Sequence, residues 1–206
     1  MPVDSIEVRS NLELTMRERG KIVDRRVGHN IWLDVGREYL SKLISFQNYS
    51  PLYYENNRIR YMGLGIGGTR QLALAVANAP PLSVAYPGPN TQTDTDPTIT
   101  SLERPVRITG GSSVPPYVVS DVWLGQIAAP PSFPTATSVK FTRLFTDVQV
   151  SYAPYVTVPL SEVMLYTSGA NVNSYNNTGY GVAYDTFDTI SKTNAFELQI
   201  DWTVRF

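Results

Sequence analysis

The feature that most constrains the fold is a run of strict two-residue alternation over residues 195–206. Apolar side chains occupy every second position of this run, and polar or charged side chains fill the positions between them. The apolar set is Phe196, Leu198, Ile200, Trp202, Val204 and Phe206. This alternation predicts a β-strand with one buried and one solvated face. Such a strand is stable only with neighbours in its own sheet and a second layer on its apolar face.

Composition limits the kind of protein that contains this strand. The chain has 206 residues, of which 42% are hydrophobic, so it can form a sizeable core. Only 17% of the residues are charged, against roughly 25% in ordinary soluble domains. Few surface charges are typical of a subunit that is packed among others, so the composition favours an assembly.

The residue types also exclude several chemistries. The chain has no cysteine and a single histidine, His29, which excludes disulfides, thiolate nucleophiles and most zinc sites. We expect His29 to make a local contact before a helix. The sequence has no apolar run of about 18 residues, and residues 1–11 lack the apolar core of a signal peptide. We therefore expect no enzyme activity, no cofactor, no metal and no membrane contact.

The segment 6–50 predicts a hairpin followed by a helix. Leu12, Leu14 and Met16 alternate with polar residues, and Arg19-Gly20 supplies a turn before the chain returns. The tip of this hairpin is basic, but the near-zero net charge of −1 and the absence of interleaved aromatic residues favour a solvated tip over a direct nucleic-acid contact.

The helix is predicted over residues 31–46. An apolar stripe at helical spacing defines its buried side, and Asn30 stands at the expected N-cap. The stripe consists of Ile31, Trp32, Val35, Tyr39, Leu40, Leu43 and Ile44. Gly36 is unfavourable in a helix by ~1 kcal/mol, so we expect it to mark a close approach of helix and sheet. Trp32 and Tyr39, with the six apolar residues of the last strand, are the candidate core and assembly residues.

A glycine-rich stretch follows the next predicted strand, over residues 58–66. Gly63, Gly65 and Gly68 fit the spacing G-x-G-x-x-G. The dinucleotide-binding interpretation needs an acidic residue about twenty positions further on, and residues 85–90 include none. The glycines therefore favour close packing of backbone against backbone.

Residues 80–135 contain eleven of the fifteen prolines, which predicts extended loops, edge strands or an arm rather than helices. The stretch around Pro105 is expected to re-enter a sheet, and 117–122 is expected to form a short strand. Asp94 and Asp96 could contact a cation, but two carboxylates are weak evidence for calcium, so we favour a polar turn.

From residue 138 onward, strands follow one another quickly. We predict strands over 138–152, 160–166 and 182–187, a turn over 188–193, and then the final strand. Short strands with turn-rich connections favour an antiparallel β-sandwich, jelly-roll-like, that forms one domain over residues 1–206.

Several segments resemble the C-terminal signature of a group of tailed-bacteriophage virion proteins. In that group a "sEvgLf" strand, a "vA…tF" strand, a "Kt" turn and an "L.v.W.i.F" strand follow in order. The matching residues here are Ser161, Glu162, Val163, Leu165 and Tyr166; Val182, Ala183 and Phe187; Lys192 and Thr193; and Leu198, Ile200, Trp202, Val204 and Phe206. His29-Asn30 and Tyr61-Met62-Gly63-Leu64-Gly65 are similar to the group's N-terminal motifs. The matches cover about half of the chain.

The resemblance implies a structural role in the virion, in multiple copies and in contact with other virion proteins, most simply in the tail, baseplate or neck. Two alternatives stay open. One is a capsid decoration protein, and the other is a glycan-binding module for host attachment that uses Trp123, Tyr175 and Tyr180. We also expect Glu162 and Lys192 to pair across neighbouring strands.

Overall fold

The computed structural model describes residues 9–29, 31–44, 58–68, 97–109, 121–128, 130–150, 157–174 and 176–206, without the side chains of residues 29 and 42–44. The described elements, in chain order, are β1 Arg9–Glu18, β2 Lys21–His29, β3 Ile31–Trp32, α1 Asp34–Ile44, β4 Ile59–Gly65, β5 Leu124–Gln126, β6 Ser132–Thr135, β7 Ser138–Phe145, β8 Val158–Thr167, β9 Gly181–Lys192 and β10 Glu197–Arg205.

The strands form two antiparallel sheets, so the prediction of a mainly β fold is confirmed. Sheet A has the order β2-β1-β10-β7-β6, and sheet B has the order β3-β9-β8-β4-β5. One large apolar cluster draws side chains from both sheets, which places the main core between them in a sandwich-like arrangement. The short strands β5 and β6 lie at sheet edges, as the proline-rich composition predicts.

The final strand, β10, lies at the centre of sheet A between β1 and β7. Its alternation is confirmed: Leu198, Ile200, Trp202 and Val204 are at most 1% exposed in the core. Phe196 is only partly buried, just before the strand. Phe206 is 53% exposed, so the prediction that it is buried is wrong. The reason is that β10 ends at Arg205, one residue before it.

The N-terminal hairpin is confirmed. β1 and β2 pair through a turn in which Arg19 and Gly20 both have positive φ, at 49° and 80°. This is the backbone of the two-residue turns that match the twist of a hairpin. The other edge of β1 pairs with β10 along nine residues, which joins the two ends of the chain in one sheet.

The helix is shorter than predicted, because its first predicted turn is a strand. Ile31 and Trp32 pair with Tyr184 and Ala183 of β9, and α1 begins at Asp34. Asn30 lies outside the described residues, and it is too far from Asp34 to cap the helix. The prediction for Gly36 is confirmed, because a Cβ at this position would meet the carbonyl oxygen of Val182 in β9.

Two strand boundaries differ from the prediction. β7 ends at Phe145, and the turn that follows exposes 73% of Val148, which was predicted to be in the strand. β9 continues to Lys192, so the predicted turn over 188–193 is wrong, and the turn lies between Lys192 and Glu197. Of the strand predicted over 117–122, only Asp121 and Val122 are described, and Val122 forms a single bridge with Thr109.

The two sheets differ in their outer faces. Sheet A presents polar side chains of β1 and β10, such as Glu13 and Thr203, which are partly exposed. Sheet B is covered by residues of the segments 97–109 and 170–172, which form a second apolar cluster. That cluster consists of Leu33, Ile99, Leu102, Leu124, Met164, Tyr166, Ala170 and Tyr184. Sheet B is therefore an inner layer, and sheet A is an outer one.

Candidate functional site

The most unusual group in the protein is the carboxylate of Glu162, on the covered face of sheet B. It is 0% exposed. It accepts hydrogen bonds from the backbone N–H groups of Gly67 at 2.9 Å, Arg104 at 2.9 Å and Glu103 at 3.1 Å, and from the Tyr184 hydroxyl at 3.0 Å. Four donors satisfy both oxygens of a group that burial would otherwise make strongly unfavourable.

Burial and hydrogen bonding act on this carboxyl in opposite directions. Desolvation raises the pKa of Glu162, and the three backbone N–H donors and the Tyr184 hydroxyl oppose that rise. The pKa of Tyr184 is raised as well, mainly by burial and then by the neighbouring carboxylate. Glu162 thus attaches the segment that contains residues 103 and 104 to β8 by hydrogen bonds, and its carboxylate is not accessible to solvent.

The glycines of the stretch that ends at Gly68 leave space for the Glu162 side chain and for the backbone that it binds. A Cβ at Gly65 would meet Oε1 of Glu162 and, at 2.7 Å, the carbonyl oxygen of Arg104. The N–H of Gly68 donates to the Ser161 hydroxyl at 3.1 Å. The prediction that these glycines allow close backbone packing is confirmed, because Cβ atoms at Gly65 and Gly68 would meet the carbonyl oxygens of Arg104 and Ser161.

A second buried ionisable group, Lys192, lies at the end of β9. Its ammonium group donates to the carbonyl oxygens of Thr193 at 2.7 Å and Asp147 at 3.2 Å, and the residue is 0% exposed. Burial lowers the pKa of Lys192 to about 8, with Asp147 and Glu197 acting against this shift. The predicted pair of Glu162 and Lys192 is wrong, because each group is satisfied by backbone atoms in a different part of sheet B.

Arg107 and Asp121 form a buried ion pair that the sequence does not predict. The two side chains are 4% and 0% exposed, and Nη1 of Arg107 lies 3.4 Å from Oδ1 of Asp121. Asn173 donates to the backbone carbonyl of Asp121 at 2.9 Å, which ties the loop after β8 to the pair. The residues are fourteen positions apart, and the sequence between them has no pattern that brings them together.

An apolar cavity opens where α1 meets the ends of the two sheets. Its volume is about 320 Å³. The lining comes from α1, from both sheets and from the last residue of the chain: Trp32, Gly36, Tyr39, Leu40, Arg58, Ile59, Pro131, Val139, Phe141, Val182, Val204 and Phe206. Phe206 is held there by its backbone N–H, which donates to the carbonyl oxygen of Thr137 at 2.9 Å.

The structure separates the eight candidate core and assembly residues into two groups. Trp32, Tyr39, Val204 and Phe206 line the cavity. Leu198, Ile200 and Trp202 lie in the core between the sheets, and Phe196 packs against its edge. Of the first group, Phe206 is 53% exposed and accessible to a neighbouring molecule, whereas Val204 belongs to the core. The second group holds the sheets together.

The structure describes two of the three residues proposed for glycan binding. Trp123 is only 4% exposed, and Tyr180 is 40% exposed. Tyr175 lies outside the described residues, as do Asp94 and Asp96, the possible cation ligands. Among the described residues, no three histidine, aspartate or glutamate side chains are grouped as a metal site would require. None of the described helices is long and apolar enough to cross a membrane.

Comparisons with known proteins give no match: no family model, no curated protein and no solved structure is significantly similar to this chain.

Proposed function

We propose that the protein is a non-enzymatic structural subunit of a tailed-phage virion, present in multiple copies in the tail, baseplate or neck. The observation that carries this proposal is the contact at Glu162. The "sEvgLf" segment and the motif Tyr61-Met62-Gly63-Leu64-Gly65 of the resemblance are separated by almost a hundred positions, yet they pair as neighbouring strands, with Gly65 directly opposite Glu162. Signature residues that contact one another in this way are expected of a shared fold.

The chemistry of the signature supports the same role. Glu162 and Lys192 are the acidic and the basic residue of its C-terminal part, and both are buried and hydrogen-bonded to backbone groups. Neither group can meet a substrate without opening the fold. The role of the signature is thus to build a rigid sandwich, and function lies on the surfaces that the sandwich presents.

The apolar cavity beside Phe206 provides such a surface. We propose that an apolar side chain of a neighbouring virion protein enters it. Phe206 is 53% exposed in the isolated chain, and burying a Phe side chain contributes ~1.5–3 kcal/mol to an interface. The low number of charged residues in the second half of the chain is consistent with extensive subunit contacts.

We also propose a jelly-roll-like winding of the sandwich. Four antiparallel strand pairs are nested in the sequence: β1 with β10, β3 with β9, β4 with β8, and β6 with β7. Nested pairing of this kind is typical of a rolled-up β-hairpin. The pairs β3–β9 and β4–β8 share sheet B, where they are joined through β8 and β9.

Quantitative mass spectrometry of intact virions tests the role and the position together. We expect the protein in purified particles, at about six to a few tens of copies relative to the major capsid protein, as rings and short stacks of subunits require. A copy number near that of the capsomers assigns the chain to capsid decoration instead. Absence from the particle overturns both structural roles.

A further inference from the structure

The outer face of sheet A contains two pairs of like charges on directly opposite positions of its central strands. Glu13 of β1 is the cross-strand partner of Asp201 of β10, and Arg9 is the partner of Arg205. Opposite positions of two antiparallel strands bring Cβ atoms to ~4.5–5.5 Å, where like charges are destabilising. An acidic pair and a basic pair therefore lie in the same two strands, four residues apart.

The acidic pair is held in a defined position by its neighbours. Arg25 donates to both oxygens of Glu13, at 2.8 and 2.9 Å. Asp201 accepts from the Thr142 hydroxyl at 2.6 Å and lies 3.5 Å from the Lys140 ammonium group. These contacts reduce the repulsion between the carboxylates and fix them on the face of the sheet.

The acidic pair and the basic pair are opposite in charge. Asn11 and Thr203, which are cross-strand partners, lie midway between the acidic and the basic pair. A two-fold axis that runs across the strands through this midpoint places the acidic pair of one copy over the basic pair of a second copy. Asp201 then faces Arg205 of the second copy, and Glu13 faces its Arg9, with all four contacts repeated by symmetry.

The size and shape of the face suit such a contact. The five strands contain 40 residues, which at ~3.3 Å each and ~4.8 Å between strands give a face of roughly 600 Å², somewhat below the ~800 Å² that each partner buries in a standard interface. A shallow concavity of about 360 Å³ lies on the face, and Glu13, Asp201 and Arg205 are among its lining residues. Long arginine side chains of a second copy can enter this concavity, together with water.

We infer that the protein dimerises through the outer face of sheet A, with the acidic pair Glu13 and Asp201 of each copy bound to the basic pair Arg9 and Arg205 of the other. This inference rests on the proposed function, because it identifies the surface through which copies of the proposed virion subunit bind one another. The interface is polar, so its affinity depends strongly on salt.

Sedimentation velocity of the purified full chain tests the inference. We expect a dimer in about 0.05 M NaCl whose dissociation constant rises at least about tenfold in about 0.5 M NaCl, because salt screens the charge pairs. Arg9→Glu and Glu13→Arg, each alone, are expected to weaken the dimer by at least about tenfold. The control is Arg37→Glu on α1, whose side chain is 64% exposed and which should leave the dimer unchanged.

Mixing the two variants gives the decisive result. Arg9→Glu places acidic residues at both positions of one copy, and Glu13→Arg places basic residues at both positions of the other. Each variant repels itself, but an equal mixture should form a heterodimer with an affinity near that of the unsubstituted protein. If Glu13→Arg does not fold, the mixture is made instead from Arg205→Glu and Asp201→Arg, which carry the same complementary charges on β10 and should each weaken the dimer at least about tenfold when alone.

Three outcomes overturn the inference: a monomer at low salt, a dimer that neither Arg9→Glu nor Arg205→Glu weakens, or folded variants whose mixture stays monomeric. These outcomes are distinct from failure of the proposed function. A monomer that is found in virions overturns only the dimer, and a dimer that is absent from virions overturns only the virion role.

Discussion

Sheets A and B each contain five antiparallel strands, but among the described residues a second apolar cluster covers the outer face of sheet B alone. On sheet A, β10 alternates between core residues and partly exposed polar residues. On sheet B, nine of the ten residues of β8 are buried, because the segments 97–109 and 170–172 cover the second face. A sheet that is buried on both faces and a sheet that exposes one face therefore have different sequence patterns.

The largest expected effect concerns the core that both sheets share. Trp202→Ala removes a side chain that is 0% exposed between the sheets, so we expect the free energy of unfolding to fall by ~3–5 kcal/mol. Urea unfolding followed by fluorescence measures this change. The matched control is Leu144→Ala on the outer face of sheet A, where the side chain is 40% exposed and where we expect a loss of less than ~1 kcal/mol. Equal losses for both variants would contradict the assignment of the two faces.

The second prediction compares the same residue type on the two sheets. Glu162→Gln replaces one acceptor oxygen by an NH₂ group that faces N–H donors, so we expect a loss of ~2–4 kcal/mol. Glu13→Gln on sheet A changes a partly exposed ion pair with Arg25, and its expected loss is below ~1 kcal/mol. Both are measured by urea unfolding. A Glu162 variant as stable as the Glu13 variant would show that the hydrogen bonds of Glu162 do not hold the segment 97–109 on sheet B.

The third prediction uses pH. The pKa of Lys192 is about 8 in the folded protein, below its ordinary value of 10.5. Between pH 8 and 10.5 the Lys192 side chain binds more protons in the unfolded chain than in the folded protein. The contribution of Lys192 to the free energy of unfolding is therefore smallest below about pH 8 and increases as the pH rises above it. We expect a rise of roughly 1–3 kcal/mol in total, of which the part below pH 9.5 is measurable before tyrosines ionise.

Two lysine variants isolate this rise. Lys192→Met should abolish it, and Lys140→Met on sheet A should leave it intact. Urea unfolding at several pH values between 7 and about 9.5 gives the comparison, and a range below the ordinary pKa of tyrosine, ~10, avoids the opposing contribution of Tyr166 and Tyr184. The same pH dependence in the unsubstituted protein and in Lys192→Met would refute the assignment.

The smallest effect on stability is expected at Phe206. Phe206→Ser should change the free energy of unfolding by less than ~1 kcal/mol, because the side chain is half-exposed. It should nevertheless lower incorporation into virions at least several-fold, which quantitative mass spectrometry of particles measures. Phe133→Ser is the control, since Phe133 is 72% exposed on the edge strand β6. Equal incorporation of the two variants would remove the cavity from the proposed interface.

The sequence predicts the elements of sheet A better than those of sheet B, and burial explains the difference. The alternation of Leu198, Ile200 and Trp202 identifies β10, and Arg19-Gly20 identifies the hairpin turn. In β9, both faces are buried, so Asp185 and Thr186 suggested a strand end although they lie inside a continuous strand. Likewise Ile31 and Trp32 fit a helical stripe, but pairing with β9 keeps them in a strand.

The candidate site was predicted only in part. Trp32, Tyr39 and Val204 were selected as apolar residues, but their meeting with Phe206 around one cavity depends on the connection between the sheets. Glu162 was noticed as a charged residue, yet its donors come from residues 67, 103 and 104, which no local pattern connects with it. Contacts that depend on tertiary packing alone have no sequence period, and they become visible only in the folded chain.

We expect the outer face of sheet A and the surface at Phe206 to contact other subunits, and the segments 97–109 and 170–172 on sheet B to make no such contact. Hydroxyl-radical footprinting, read by mass spectrometry, tests it by comparing the dilute subunit in high salt with the assembled form. We predict that assembly protects Val27 and Pro134 at the concavity of sheet A, together with Phe206, and leaves Tyr180 beside the cover of sheet B unchanged. Protection of Tyr180 with unchanged reactivity at Val27 and Phe206 would contradict the account.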